Sequence, residues 1–282
     1  APINRTMKEL LAPTLENYKL SVTHLNNFID VTRGGPQNFL LNNLLRFPQA
    51  KSANAIYGTL IHAVLQHAHS HLAASGTRKP IEDITGEFIR LLHQQELRDN
   101  DLALYSKRGI EALEAFLSAK YDTFKPSQKP ELSFAGQGVI LGQARLTGSL
   151  DLVDIDNQTI TVTDYKTGKP STSWTGKSDY EKIKLHKYRQ QLMFYELLCA
   201  NSRDYAKYDF GGAVLQFVEP DSRGDICQLD DRFSRDELAD FQRLIAAVWR
   251  CITTLELPPI DNFEQNYKGI LVFEQMLRNS YS

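Results

Sequence analysis

Two aspartates and a lysine have the types and spacing of a metal site with a cation beside it. Asp151 closes the run Gly148-Ser-Leu-Asp, and Asp164 and Lys166 flank a tyrosine a short distance later. Carboxylate oxygens are hard ligands that suit Mg²⁺ or Mn²⁺. A lysine beside such an ion can hold or activate an attacking water and stabilise the charge that develops on a phosphate. A single Asp-x-Lys triplet also arises by chance, and the alternative is a pair of exposed aspartates with a solvated lysine.

The apolar pattern around these residues predicts a β-hairpin that brings the two carboxylates together. Alternating runs over 146–156 and 159–166 meet at Asn157-Gln158, which has the length of a two-residue turn. Pairing the strands through that turn places one apolar set on a single face, namely Val153, Ile155, Ile160 and Val162. In the same register Asp151 lies opposite Asp164, with Cβ atoms about 5 Å apart, and a divalent cation would offset their repulsion. A three-residue turn would shift the register by one residue.

Side-chain alternation separates the other polar residues of this region. Lys166 points to the same side of its strand as Asp164. Asp154 points to the opposite side from Asp151 and is expected behind the site or at the surface. Glu131 opens the preceding strand and could reach the edge of the site, although a surface position is the simpler interpretation.

Apolar spacing predicts mostly helix over the first 125 residues and short strands from residue 131 onward. The predicted helices cover 21–30, 53–72, 81–97, 102–124, 180–200, 235–255 and 270–277. The predicted strands cover 131–134, 138–141, 146–156, 159–166, 212–218 and 225–229. Residues 125–130 form a predicted linker, and 167–178 form a predicted polar loop. These elements indicate a mixed α/β core with helices packed on it.

Four short motifs follow one another along the chain. They are Gly58-Thr-Leu-Ile-His62, Gly148-Ser-Leu-Asp151, Asp164-Tyr-Lys166-Thr-Gly168 and Gln191-Leu-Met-Phe-Tyr195. In this order they resemble the RecB-type nucleases of the PD-(D/E)XK superfamily. The segment 20–28 also resembles the opening of such domains, and the resemblance spans about residues 20–218. The four motifs together are far more specific than any one of them.

The resemblance implies a mixed central sheet flanked by helices, with a helical N-terminal extension. The implied metal ligands, for Mg²⁺ or Mn²⁺, are His62, Asp151, Asp164 and the backbone carbonyl of Tyr165. Lys166 is the implied catalytic lysine, and Gln191 and Tyr195 are implied to support the site or to contact DNA. Without the order of the motifs, the simpler interpretation of His62 is a helix histidine with a structural partner. Gln191 and Tyr195, one turn apart, would then be core residues with a hydrogen-bonded amide.

The implied activity is hydrolysis of DNA phosphodiester bonds. The resemblance implies an exonuclease that acts on single-stranded or end-containing DNA in recombination and repair. Such domains work with a helicase, either in the same chain or in a partner. No G-x-x-x-x-G-K-[ST] motif occurs here, so this chain is not expected to be an ATP-driven helicase.

The chain departs from the AddB-like members of that family. Many of those members hold an iron–sulfur cluster with four cysteines that flank the nuclease core, whereas no cysteine occurs near residues 30–31 or in 258–267. Cys199, Cys227 and Cys251 are far apart and form no C-x-x-C pair. We therefore expect the cluster-free type, with reduced structural thiols.

Two further sets of charged residues have competing interpretations. His67, His69 and His71 resemble a zinc cluster, but without a third ligand set a solvated helix face is the simpler explanation. The basic residues after the hairpin are Lys169, Lys177, Lys182, Lys184, Lys187 and Arg189, with Trp174 and Tyr188 among them. They form either a surface that follows single-stranded DNA or only a solvated helix face. Within this set, we assign Lys169, Lys187 and Arg189 to DNA binding.

Net charge, apolar runs and the N-terminal residues bear on DNA binding, membrane contact and location in the cell. The formal net charge is -2, which disfavours a tight, static DNA-binding module but not an enzyme with a local basic groove. No run of about 18 apolar residues occurs, so no membrane contact is expected. Residues 1–5 lack a signal pattern, and we expect a cytoplasmic protein.

We expect one nuclease domain over residues 1–282. It has a mainly helical part at 1–125 that carries His62, a catalytic α/β core at 131–232 and C-terminal helices at 233–282. One alternative is a non-catalytic DNA-binding or scaffold module of a helicase–nuclease complex, and another is a structure-specific endonuclease. Every motif residue is present, which argues against a module that has lost the chemistry.

Overall fold

Helices occupy the first part of the chain, and alternating strands and helices follow. The structure is a computed structural model that describes residues 6–281, so the expectation about residues 1–5 lies outside it. The helices are α1 (Met7–Glu16), α2 (Val22–Ile29), α3 (Gly35–Phe39), α4 (Ala53–Ser75), α5 (Ile81–His93), α6 (Asp99–Lys120), α7 (Asp179–Ala200), α8 (Arg235–Thr254) and α9 (Tyr267–Tyr281). The strands are β1 (Lys129–Ser133), β2 (Ile140–Leu141), β3 (Ala144–Arg145), β4 (Ser149–Asp156), β5 (Thr159–Lys166), β6 (Asp209–Pro220) and β7 (Ile226–Asp231). No helix in the described range is long and apolar enough to cross a membrane.

Within residues 6–281, five strands form the main sheet in the order β1-β4-β5-β6-β7. Neighbouring strands are antiparallel except β5 and β6, which run parallel and are connected through α7. The β4–β5 hairpin has the predicted register, with Val153 opposite Val162 and Asp156 opposite Thr159. The expected mixed sheet flanked by helices is confirmed.

Helices cover both faces of this sheet, because alternate residues of β4 and β5 are apolar on each side. Val153 and Val162 join a core with α2, α7, α8 and α9. Leu152 and Tyr165 join a second core with α4, α5 and α6. Burial of both faces supplies the main favourable term in folding. The helices of the first 125 residues therefore contribute to both layers that enclose the sheet.

Several elements differ from the sequence prediction, among them α1, α3 and β3, which it lacks, and two of the differences have a clear physical reason. The predicted linker ends early, because β1 begins at Lys129 and includes Pro130. Among the described strands, β1 lies at the edge of the sheet and pairs only with β4, so the missing N–H of Pro130 breaks no hydrogen bonds to a second neighbouring strand. The predicted strand 146–156 begins only at Ser149, because Leu146 forms an isolated bridge with Leu20 instead.

His69 lies in the core beside β5, and the prediction of a solvated histidine is wrong for this residue. Its side chain is buried, and its ring stacks on Phe124 with the centroids 3.7 Å apart. Its Nε2 atom lies 2.8 Å from the hydroxyl of Tyr165. His67 instead pairs with a glutamate of α5 at 2.7 Å. Among residues 6–281, no candidate metal cluster includes His67, His69 or His71.

The protein should lose stability in mild acid because His69 is buried in its neutral form. Burial lowers the pKa of His69 to about 4, whereas an unfolded histidine has a pKa of about 6.5. The unfolded chain therefore binds a proton in this window that the folded chain does not. The free energy of unfolding should fall by about 2 kcal/mol from pH 7.5 to pH 5. Denaturant unfolding of wild type and His69→Phe measures this, and equal acid responses in the two proteins would contradict it.

Candidate active site

Asp164 and Lys166 form a buried ion pair at the end of β5. The Nζ atom of Lys166 lies 2.7 Å from Oδ2 of Asp164, and only 3% of the Asp164 side chain is exposed. The two side chains share one side of the strand, as alternation predicts. Burial raises the pKa of Asp164, the positive charge of Lys166 lowers it, and the negative charge of Asp151 raises it again. The pKa of Asp164 is raised overall, so the positive charge and hydrogen bonds around this carboxylate do not fully offset the cost of burying its negative charge.

Two side chains of α7 hold the other oxygen of Asp164. Tyr195 donates its hydroxyl to Oδ1, and Gln191 donates its amide to the same oxygen at 2.9 Å. Burial raises the pKa of Tyr195 far above its ordinary value, so the hydroxyl stays protonated and remains a donor. The Oε1 atom of Gln191 accepts from Nζ of Lys166 at 2.6 Å. Gln191 therefore fixes the aspartate and the lysine relative to each other.

His62, Glu131 and Asp151 come together beside this ion pair. One ligand atom from each lies within 4.8 Å of the others. α4 places Nδ1 of His62 3.2 Å from Oδ2 of Asp151, and the same oxygen accepts the backbone N–H of Tyr165 at 2.8 Å. Glu131 lies opposite Asp151, since its neighbours on β1 pair with the neighbours of Asp151 on β4. Asp164 is outside this group of atoms because its oxygens face Lys166 and α7.

The charges of this group favour a bound cation. Burial raises the pKa of Glu131, and the negative charges of Asp151 and Asp164 raise it further. Burial lowers the pKa of His62, but the hydrogen bond and charge of Asp151 outweigh burial and raise it overall. Both directions reflect the negative charges of the neighbouring carboxylates. A divalent cation would compensate these carboxylates together, and it would compete with the proton of His62.

The donor set fits Mg²⁺ or Mn²⁺, which prefer oxygen ligands and accept an imidazole. Within the described part of the chain, the partner of the buried Oδ2 of Asp164 is the Nζ atom of Lys166 at 2.7 Å. A carboxylate oxygen has more than one lone pair, so Oδ2 can accept from Lys166 and still serve as a metal ligand. The carbonyl of Tyr165 stays a prediction as a further ligand.

A second ion pair holds the loop that follows Lys166. Arg108 of α6 donates two hydrogen bonds to Glu219 at the end of β6, at 3.0 and 2.8 Å. Glu219 also accepts from Tyr57 at 3.2 Å and from the N–H of Gly168 at 2.6 Å. Gly168 has a φ of +92°, which glycine adopts without strain. Sequence reasoning missed Arg108 and Glu219, and only the glycine of the third motif hinted at a tight turn here.

The basic residues after the hairpin differ in their partners within the protein. Lys187 forms an ion pair with buried Asp30 at 2.5 Å, and Arg189 pairs with Asp231 of β7 at 2.6 Å. Lys169 is exposed on the loop next to the hairpin. The structure brings Lys169 to the active-site loop, whereas it gives Lys187 and Arg189 partners within the protein. A role of these three residues in DNA binding stays a prediction.

Replacing Glu131 with glutamine should weaken metal binding and stabilise the metal-free protein. The raised pKa of Glu131 means that the folded state binds its proton more tightly than the unfolded chain. Its negative charge at neutral pH therefore opposes folding, and removing that charge raises the free energy of unfolding. We expect the affinity for Mn²⁺ to fall about tenfold and the denaturant midpoint in EDTA to rise.

Calorimetric titration with Mn²⁺ and denaturant unfolding in EDTA measure the two effects of Glu131→Gln. Glu16→Gln is the matched control, because Glu16 is exposed at the end of α1. The control should change neither quantity. An unchanged Mn²⁺ affinity in Glu131→Gln would remove Glu131 from the ligand set.

Comparison with known protein families agrees with this geometry. No curated protein matches the chain. The family model of the PD-(D/E)XK nuclease superfamily matches residues 19–264. The matched range includes α4, the β4–β5 hairpin and α7, which together carry the motif residues of the site. The chain therefore belongs to the PD-(D/E)XK nuclease superfamily.

Proposed function

We propose that this protein is a deoxyribonuclease that uses Mg²⁺ or Mn²⁺ at the site of His62, Glu131, Asp151 and Asp164. Membership of the superfamily supports a metal-dependent nuclease in general. The single observation that carries the proposal is the buried Asp164–Lys166 pair beside a group of ligand atoms within 4.8 Å. Buried charges in proteins are paired or coordinate metals, and one lysine does not compensate this many carboxylates.

Each polar side chain of the site has a role in the proposed reaction. His62, Glu131, Asp151 and Asp164 would hold a divalent cation, which when bound would supply an activated water and compensate charge on the phosphate. Lys166, held by Asp164 and Gln191, would donate to a phosphate oxygen and stabilise the charge that develops there. Gln191 and Tyr195 keep one oxygen of Asp164 occupied, so that its other oxygen keeps a fixed direction.

The finer proposal is a RecB-type exonuclease. It is supported by the order of the four motifs and by the contacts that Gln191 and Tyr195 make with Asp164. In this proposal the substrate is DNA that is single-stranded or has a free end. The setting is recombination and repair in the cytoplasm, beside a helicase. The exonuclease activity, the setting and the helicase rest on resemblance to the family.

Degradation of 5′-labelled linear single-stranded DNA tests the nuclease. Wild type should degrade the strand with Mg²⁺ or Mn²⁺ and not with EDTA. Asp164→Asn should cleave at least about a hundredfold more slowly, because it removes a charge next to the cation. A circular single strand of the same sequence should stay intact, since an exonuclease needs an end. An RNA strand of the same sequence should also persist.

The outcomes separate the alternatives. Binding of DNA without cleavage in either metal would overturn the nuclease and favour a non-catalytic DNA-binding or scaffold module. Cleavage of the circle would overturn the exonuclease part and favour an endonuclease. Equal degradation of RNA would overturn the assignment of DNA as the substrate.

A further inference from the structure

One side of α7 carries a row of polar and aromatic residues that leads from the active site to the surface. With 3.6 residues per turn, Tyr195, Gln191, Tyr188, Lys184 and Tyr180 share that side of the helix. Tyr195 and Gln191 contact Asp164. The remaining three residues, Tyr188, Lys184 and Tyr180, are the outer row, and the proposed reaction gives them no role.

Two lysines of this region share the ring of Tyr188. The Nζ atom of Lys166 lies 4.6 Å from the ring centroid, and that of Lys184 lies 5.5 Å from it. Lys184 is half-buried and donates to the backbone carbonyl of Lys169 at 3.0 Å. Burial lowers the pKa of Lys184, and the positive charge of Lys166 lowers it further. Two neighbouring ammonium groups that are partly shielded from water favour a bound anion near both of them.

Asp30 and Glu181, two of the carboxylates near the outer row, have partners within the protein. Asp30 accepts from Lys187 at 2.5 Å. Glu181 accepts the backbone N–H of Lys177 at 2.8 Å in the cap of α7. Among residues 6–281, no carboxylate forms an ion pair with Lys184. The ammonium group of Lys184 is therefore available to a negatively charged ligand.

Two cavities meet along the outer row. The first has a volume of about 540 Å³ and is lined by Arg108, Gly168 and the outer row. The second has a volume of about 460 Å³ and is lined by Arg33, Lys187 and the outer row. All three outer-row residues line both cavities, and the first cavity also includes the loop after Lys166. Tyr180 is 72% exposed, and such a ring offers a face for stacking.

We propose that the outer row is a subsite for a single strand of DNA, with Lys184 on a phosphate and Tyr180 against an unpaired base. The subsite rests on the proposed function, because the strand in it would be the one cleaved beside Lys166. Stacking on an aromatic side chain requires a base whose face is open, which a duplex interior does not offer. The occupant is therefore single-stranded, and a duplex would enter only through an unpaired end.

Binding of a fluorescein-labelled single strand, measured by anisotropy in EDTA over a range of salt concentrations, tests the subsite. Lys184→Ala should reduce the slope of log affinity against log salt by about 0.7, the contribution of one phosphate contact. At about 0.1 M salt this corresponds to roughly fivefold weaker binding. Tyr180→Ala should weaken binding roughly tenfold at an unchanged salt slope, because stacking involves no counterion.

Matched variants and ligands test whether the effects come from the ring of Tyr180 and from the charge of Lys184. Tyr180→Phe should bind like wild type, since it keeps the ring. Lys182→Ala is the control for charge, because Lys182 is exposed on α7 and lines a different cavity. An oligonucleotide without bases should bind wild type and Tyr180→Ala equally well. A blunt duplex should bind more weakly than the single strand.

Each outcome decides the proposal. Equal affinities of wild type, Lys184→Ala and Tyr180→Ala would overturn the subsite even if DNA is cleaved normally. A loss in Lys182→Ala as large as that in Lys184→Ala would also overturn it, since the effect would then be general charge. Binding with the expected variant pattern but without cleavage in metal would support the subsite and overturn the nuclease alone. No binding by wild type would overturn the subsite directly.

Discussion

Replacing Lys166 with methionine should lower the rate of DNA cleavage about a thousandfold and leave the fold in place. Methionine has a similar length and apolar stem but no charge, so it removes the cation that lies 2.7 Å from Asp164. It also removes the donor that faces Gln191 at 2.6 Å. Charge that develops on the phosphate would then be compensated by the divalent ion alone.

Single-turnover cleavage of labelled DNA and calorimetric Mn²⁺ binding measure the effect of Lys166→Met separately on chemistry and on the metal site. Metal should still bind, because the candidate ligands His62, Glu131 and Asp151 are unchanged. Lys207→Met is a matched control, since Lys207 is exposed just before β6, whose first residue pairs with Thr159 at the opposite end of β5 from Lys166. Cleavage within tenfold of wild type would show that Lys166 is not the catalytic lysine.

Replacing Asp151 with asparagine should abolish metal-dependent cleavage and make the metal-free protein at least as stable as wild type. Asparagine can still accept the N–H of Tyr165, which Asp151 accepts at 2.8 Å. The negative charge that raises the pKa values of Asp164 and Glu131 would be gone. The repulsion that opposes folding therefore decreases, while the affinity for Mn²⁺ falls by about a hundredfold or more.

Thermal unfolding in EDTA and in Mn²⁺ distinguishes these effects. Wild type should gain about 2.7 kcal/mol at a metal concentration a hundredfold above its dissociation constant, and Asp151→Asn should gain almost nothing. Asp154→Asn is the matched control on the same strand, because Asp154 pairs with Lys125 on the other side of β4. It should keep the response to metal. A normal Mn²⁺ response in Asp151→Asn would exclude Asp151 from the metal site.

Metal binding by wild type should also weaken as the pH falls. The charge of Asp151 raises the pKa of His62 against the opposing effect of burial, so the proton competes with the ion already near neutral pH. This competition follows from the same carboxylate that Asp151→Asn removes.

The hairpin could be predicted because its register depends on residues that are neighbours in the sequence. Val153 and Val162 share the buried face only if the turn has two residues, and the structure has that pairing. The common side of Asp164 and Lys166 then follows from the alternation of a strand. Predicting that His62 lies beside Asp151 also required the order of the four motifs, because α4 and the hairpin are far apart in the sequence.

Other parts of the site depend on contacts between distant residues and could not be predicted from local patterns. Glu131 reaches Asp151 only because β1 pairs with β4, and the strand order does not follow from apolar spacing. Arg108 meets a partner 111 residues away, at the end of β6. Among the basic residues after the hairpin, Lys187 likewise has a distant carboxylate partner, Asp30, which lies 157 residues away. A count of charges cannot tell which of them the fold has already paired.

The contacts of Arg108 and His62 indicate which parts of the chain cleavage activity requires. Both residues belong to helices that precede β1, yet one binds Glu219 and the other reaches Asp151. The strands and α7 alone would therefore be an incomplete catalytic unit. A chain divided at the turn between α6 and β1 would yield two inactive pieces, and cleavage activity would return only when they reassociate. Because the helical region contributes these contacts to the candidate active site, we do not expect it to be a detachable module.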